Sequence, residues 1–174
     1  FYHHIIPGSR VRKWSSQHKD AFQAVNAPRQ TLEAFVHEGR SLQDIPTNAY
    51  ERANKRYDAK VAVLTSEDPE NTCYFINQFF AQKGRNGDGI ILYGLGSGNT
   101  HSKIHKTIAH WLANGKLIVL GSKCEDGGID PTIYKAGVAA AVNGVLCGLD
   151  MAPDAMKAKL TYLLSNYQTG NKHL

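Results

Sequence analysis

Apolar positions in the second half of the chain fall into short unbroken runs separated by helical stripes. Val61-Ala62-Val63-Leu64-Thr65, Ile90-Ile91-Leu92-Tyr93 and Leu117-Ile118-Val119-Leu120 are the runs. Uninterrupted stretches of this length mark strands covered on both faces, as in a parallel sheet. Between them, Ile76 and Phe80 share a helical face with Phe79 beside them, and Ile104, Ile108, Trp111 and Leu112 recur at helical spacing. Asp68-Pro69-Glu70 opens the first helix, with Asp as N-cap and Pro at the first helical position. Gly115 closes the second, over 101–114. Asp130-Pro131 repeats the helix start, and a small-residue helix is expected to about Asn143-Gly144. A fourth strand is expected over 144–148. Pro153 opens a last helix with Met156, Leu160, Leu163, Leu164 and Tyr167 at helical spacing. Alternating strands and helices predict a three-layer α/β/α fold around a small parallel sheet.

The first third is less regular. Tyr2, Ile5 and Ile6 precede the turn signal Pro7-Gly8, and Val11 and Trp14 follow. Residues 1–16 therefore read as strands, expected to complete a sheet whose remainder lies outside the chain. Residues 17–28 read as a linker. Residues 30–58 are polar and weakly helical, with a surface helix expected over 47–57. The expected division is 1–28 as the end of a preceding domain with its linker, and 29–174 as the main domain.

Composition narrows the class. A hydrophobic content of 42% supports a core, and no apolar run is long enough to span a membrane. The net charge of +5 is scattered. The densest basic stretch, Arg52-Ala53-Asn54-Lys55-Arg56, is interleaved with Glu51 and Asp58. That is a solvated face, not a nucleic-acid stripe. Cys73, Cys124 and Cys147 are odd in number and sparse, which suits a reducing, cytoplasmic compartment better than a disulfide framework. The opening Phe1-Tyr2-His3-His4 looks like a chain entered in its middle.

The chemistry gathers around Tyr93-Gly94-Leu95-Gly96-Ser97-Gly98-Asn99-Thr100, between a strand and a helix. A loop there sits at the carboxyl end of the sheet, where open α/β folds bind ligands, and its N–H groups attract anions. Asn99 stands where a dinucleotide fingerprint needs glycine, and the P-loop Gly-Lys-Ser/Thr is absent. A tight turn that uses glycine only for backbone freedom is the plainer reading. His101 and His105 are one helical turn apart, but Ser102 stands where a zincin needs Glu, and His110 falls on the far side. They read as surface or core-edge histidines. Cys124, beside Lys123, reads as a partly buried structural thiol in preference to a nucleophile. Gly96-Ser97-Gly98 lacks the spacing of a nucleophile elbow. Tyr74, Phe75, Phe79 and Phe80 read as core.

In order, Tyr93-Gly94-Leu95-Gly96-Ser97-Gly98-Asn99, the strand ending at Leu120 with Ser122-Lys123-Cys124, Tyr134-Lys135-Ala136-Gly137, and Asp150-Met151-Ala152-Pro153-Asp154-Ala155 with Lys159-Leu160 and Leu163-Leu164 resemble the C-terminal domain of the L-asparaginase/glutaminase family. Upstream, Arg12-Lys13 and Asp20-Ala21-Phe22 with Asn26 and Pro28 resemble the segment leaving its N-terminal domain. The resemblance spans most of the chain outside residues 29–60. It implies a four-stranded parallel sheet in flavodoxin-like order and hydrolysis of the asparagine, to varying degrees glutamine, side-chain amide. It implies no cofactor or metal, a homodimer or homotetramer, and an N-terminal asparaginase domain as partner. The family's threonine nucleophile, in T-G-G-T-I, has no counterpart here, and neither has its T-D-T region. Asn99, with Gly98 and Thr100, matches the loop that meets the amino acid in a neighbouring subunit's site. Ser122-Lys123-Cys124 resembles the cytosolic type, in which this region lines a regulatory asparagine site. Glu125 and Asp126 lie where secreted relatives place a glutamate. Ala152 replaces a capping Thr, worth about 1 kcal/mol. An amino-acid-sensing module without catalysis, and an asparaginase-like subunit of a tRNA-dependent amidotransferase, are the alternatives.

Overall fold

The computed structural model describes residues 4–27, 30–31, 33–34, 38, 56–82, 87–130 and 144–167. Strand β1 is His4–Ile5, β2 Val11–Lys13, β3 Phe22–Ala24 and β4 Gln30–Thr31. β1 pairs antiparallel with β4, and β2 with β3 in the register Val11↔Ala24 to Lys13↔Phe22. Two expectations change here. The N-terminal strands pair within the chain, and residues 22–24, read as linker, form a strand. The reason is closure of the ribbon at both ends. Trp14 N–H donates to Ala21 O at 2.9 Å and Val25 N–H to Arg10 O at 2.8 Å, and Ala21 and Val25 are buried.

The main sheet holds β5 Val61–Thr65, β6 Gly89–Tyr93, β7 Leu117–Gly121 and β8 Leu146–Cys147. All its pairs are parallel, and the fourth strand lies where the apolar run placed it. Helix α1 is Pro69–Ala81, α2 Ser102–Ala113 and α3 Pro153–Asn166. Side-chain alternation splits β6 and β7 between two cores. Ile90, Leu92, Ile118 and Leu120 pack against Ile76 and Phe80 of α1 and Ile104 and Ile108 of α2. Ile91, Tyr93 and Val119 face Met156 and Leu160 of α3. The three-layer α/β/α class stands. The strand order, however, runs β5-β6-β7-β8 in sequence, without the flavodoxin permutation of its first two strands. Helices α1 and α2 each carry the chain one strand further in the same direction, so both cover one face.

The helix ends follow their local chemistry. Asp68 accepts from the N–H groups of Glu70 and Asn71, with Pro69 next. α2 ends with Gly115 at φ +74°, where Gly115 N–H donates to Leu112 O at 3.0 Å and Lys116 N–H to Trp111 O at 3.0 Å, a Schellman pattern. Ala152 precedes α3 without a side-chain cap. Tyr74 and Phe75, read as core, are 58% and 52% exposed. The buried stripe of α1 is Thr72, Ile76 and Phe80, and residues 74 and 75 lie about 200° and 100° round the helix from Ile76. No helix among the described residues is long and apolar enough to cross a membrane. The helix expected after Pro131, the Tyr134-Lys135-Ala136-Gly137 piece and most of the 47–57 stretch lie outside the described residues.

Candidate functional site

At the carboxyl edge of the sheet, the chain leaves β6 through Gly94, whose N–H donates to Gly121 O at 3.1 Å. The loop then folds on itself. Leu95 N–H donates to Asn99 O at 2.7 Å, and Asn99 N–H returns a bond to Leu95 O at 2.9 Å. Gly96 and Gly98 have φ of +52° and +103°, which side-chain-bearing residues rarely adopt. Gly94 serves a different need: a Cβ there would stand 2.5 Å from the Gly98 carbonyl carbon. The glycines therefore build a closed knuckle that presents Asn99 at the entrance to α2.

The segment after β7 supports that knuckle. Ser122 Oγ donates to Gly96 O at 2.7 Å and accepts from Cys124 N–H at 3.1 Å. Cys124 Sγ lies 3.9 Å from Gly96 O. Asp130 N–H donates to Ser97 O at 3.1 Å, and Ile129 packs on Gly98. The structure thus brings Cys124 to Gly96 of the loop that carries Gly98 and Asn99, a meeting that its distance along the sequence did not require. Cys124 is exposed, which corrects its reading as a partly buried thiol. Lys123 turns away from it and pairs with Glu67 at 2.8 Å, so its ammonium is engaged across the end of the sheet.

Thr100 is 3% exposed, and its Oγ1 lies 3.1 Å from His105 Nε2. Its hydroxyl is turned into the protein. Asn99 Oδ1 and Ser97 Oγ are buried atoms without a hydrogen-bond partner among the described residues. So is Ser66 Oγ, at the end of β5, where Ser66 N–H donates to Tyr93 O at 2.9 Å. Three polar atoms of this kind on one edge are unusual, because buried polar groups are nearly always paired. The two serines are not marked by the sequence, since a lone serine after an apolar run or between glycines carries no signal of burial.

The histidines have separate tasks. His101 caps α2, its Nδ1 accepting from Lys103 N–H at 3.2 Å, and His110 stands edge-on to Trp111. No metal-holding group of three His, Cys, Asp or Glu occurs among the described residues. Glu125 pairs with Arg12 at 3.5 Å, and Asp126 is exposed. Beneath the loop, Tyr93 is held neutral: burial, reinforced by the Asp154 charge, pushes its phenol up to about 12. Burial also pushes the Cys147 thiol up.

Comparison with known proteins bears on the fold and the family. Residues 69–173 match the model of the glutaminase/asparaginase C-terminal domain. A glutamyl-tRNA(Gln) amidotransferase subunit of Methanococcus maripaludis is 29% identical over 174 residues, covering 95% of this chain and 40% of that protein. The corresponding amidotransferase subunit of Haloquadratum walsbyi is 27% identical, covering 92% of this chain and 36% of its own length. The chain therefore spans about two fifths of the curated relatives it matches. Among solved structures, the L-asparaginase from Thermococcus kodakarensis superposes with a TM-score of 0.70 at 24% identity, over 98% of this chain and 51% of that one. L-asparaginase I from Vibrio cholerae gives 0.73 at 22% identity, over 97% and 50%. At these identities the superpositions speak for the fold. With the family model covering more than half of its residues, the chain belongs to the glutaminase/asparaginase C-terminal domain family.

Proposed function

We propose that this chain is the C-terminal part of an asparaginase-type amidohydrolase and that its Gly-rich loop contacts the amino-acid substrate. The reaction is L-asparagine plus water to L-aspartate plus ammonia. The observation that carries the reading is Asn99, whose buried Oδ1 has no partner among the described residues and which stands at the start of α2. A carboxamide both donates and accepts, so it suits a zwitterionic amino acid. The helix N-terminus adds a preference for the carboxylate end.

The nucleophile belongs to sequence outside this chain. Thr72 and Thr100, both buried, have their hydroxyls bonded to Thr65 O at 2.7 Å and Asp68 O at 2.5 Å, and to His105, respectively. Thr72's hydroxyl is spent on backbone carbonyls, and Thr100, although it meets an imidazole, is 3% exposed, so neither offers a substrate carbonyl an approach. The chain works with an N-terminal domain carrying the reactive threonine, in a homo-oligomer whose neighbouring subunit receives Asn99. The domain boundary near residue 28, a cytoplasmic setting and a regulatory role for Cys124 and Lys123 belong to the same reading. Titration with L-asparagine of the chain assembled with its threonine-bearing N-terminal half, read at the backbone amides of residues 96–100, tests it. Shifts there that vanish in Asn99→Ala support it. Shifts elsewhere, or none, overturn it.

A second reading is favoured by the names of the curated relatives: this domain is part of an asparaginase-like subunit of a glutamyl-tRNA(Gln) amidotransferase. Ammonia release that rises on adding glutamyl-tRNA(Gln) and a partner subunit would select it. Release indifferent to both selects the free-standing hydrolase.

A further inference from the structure

The described residues contain two non-glycine residues with positive φ, Asn26 at 55° and Leu149 at 53°. They sit in one joint, although they are far apart in sequence. Asn26 Nδ2 donates to Asp150 O at 3.0 Å, and Asn26 Oδ1 accepts from Gly128 N–H at 3.1 Å. Its own N–H donates to Glu125 O at 3.0 Å, and its carbonyl accepts from Arg10 Nη1 at 2.6 Å. Arg10 closes the circle with an ion pair to Asp150. On the other side, Leu149 O accepts from Ile129 N–H at 2.9 Å. Gly128 is pressed so close that a Cβ would lie 2.9 Å from Leu149 O. Left-handed backbone at a non-glycine residue persists only where its surroundings impose it. Asn tolerates that conformation better than most residues, and both ends of its amide are used here.

We propose that Asn26 is a positioning residue for the amino-acid loop. It does not touch that loop. It fixes Glu125 and Gly128, and the next two residues clamp the knuckle, Ile129 by packing on Gly98 and Asp130 by its bond to Ser97 O. Ser97 and Gly98 in turn set the direction of Asn99. A residue of the N-terminal ribbon thereby orients a side chain more than seventy positions later. The functional consequence rests on the reading of residues 96–100 as the amino-acid contact; the clamp itself does not.

Amide-resolved hydrogen exchange on the full protein, with and without millimolar L-asparagine, separates the two. In Asn26→Ala, exchange at Gly98, Asn99, Gly128, Ile129 and Asp130 should rise about tenfold, the weight of one net hydrogen bond. Residues 90–92 and 118–120 of the sheet should not change. Asn26→Gly keeps the backbone conformation without the side-chain bonds, so it should behave like Asn26→Ala even if the latter folds poorly. Asn26→Asp keeps the Oδ1 acceptor and should restore protection at Gly128. A uniform rise through β6 and β7 would mean a stability role only and would overturn the proposal, as would unchanged exchange at 98–99. If the clamp pattern appears but L-asparagine protects nothing in the unaltered protein, the positioning role stands and the amino-acid reading fails.

Discussion

Thr100 Oγ1 and His105 Nε2 lie 3.1 Å apart, a buried hydroxyl at the entrance of α2 tied to an imidazole one turn further on. The pair stiffens the exit of the Gly-rich loop, because Thr100 is the residue directly after Asn99. His105→Ala leaves the hydroxyl buried without that partner, at about 1–3 kcal/mol. Chemical denaturation should show that loss, and His105→Gln should recover most of it. An unchanged midpoint in His105→Ala would show that the hydroxyl finds another partner.

Gly94 is required by close approach, not by its backbone angle. In Gly94→Ala the new Cβ meets Gly98 backbone at 2.5 Å, and backbone cannot yield as a flexible side chain does. The expected cost is about 1–3 kcal/mol, together with loss of L-asparagine binding. Gly8→Ala, with open space around it, should stay within about 0.5 kcal/mol of the unaltered protein. Equal effects of the two substitutions would contradict the packing of the knuckle.

The acid limb of stability should depend on Asp68. The Asn71 N–H bond, with the Asn71 side chain and Glu70 N–H adding to it, lowers its pKa. A carboxylate whose folded value lies below its unfolded one stabilises the fold above the ordinary value, near ~3.9, and loses this as pH falls through the folded value. Asp68→Asn keeps a capping oxygen but does not titrate. Its thermal midpoint should therefore fall less between pH 5 and pH 2 than that of the unaltered protein, both pH values being roughly one to two units from the ordinary carboxylate value. Parallel acid curves would refute the assignment.

At the alkaline end the relevant group is Tyr93. Burial, then the Asp154 charge, raises its phenol to about 12. The unfolded phenol ionises near ~10, so stability is lost as pH rises from there towards the folded value. Tyr93→Phe should remove that part of the alkaline decline while leaving the neutral range nearly unchanged. A decline as steep in Tyr93→Phe would place its cause elsewhere.

Much of this was legible in the chain, for identifiable reasons. The runs at 90–93 and 117–120 are buried on both faces, so they lack polar alternation. The run at 61–65 is equally apolar but forms an edge strand with Val63 41% exposed, so there the expected cover on both faces is not met. Asp68-Pro69 and Gly115 punctuate the helices by capping chemistry that needs no tertiary help. The glycines of the loop likewise marked the tight turn at the carboxyl edge of the sheet. The rest depended on contacts between distant segments. Phe22-Gln23-Ala24 is a strand because Val11, Arg12 and Lys13 lie opposite it, and three residues are too few for a period to show. Cys124 meets Gly96 only because β6 and β7 are neighbours. Strand order is likewise a tertiary property: the same alternation of strands and helices serves the sequential and the permuted sheet.

The most direct test of the central claim is coupled ammonia release from L-asparagine and L-glutamine. It should be run with the 174-residue chain alone, and again with a threonine-bearing N-terminal asparaginase half added. The prediction is no release from the chain alone, release when the half is supplied, and loss of that release in Asn99→Ala. Turnover by the chain alone would contradict it, and would return the search for a nucleophile to Cys124 and the threonines present here.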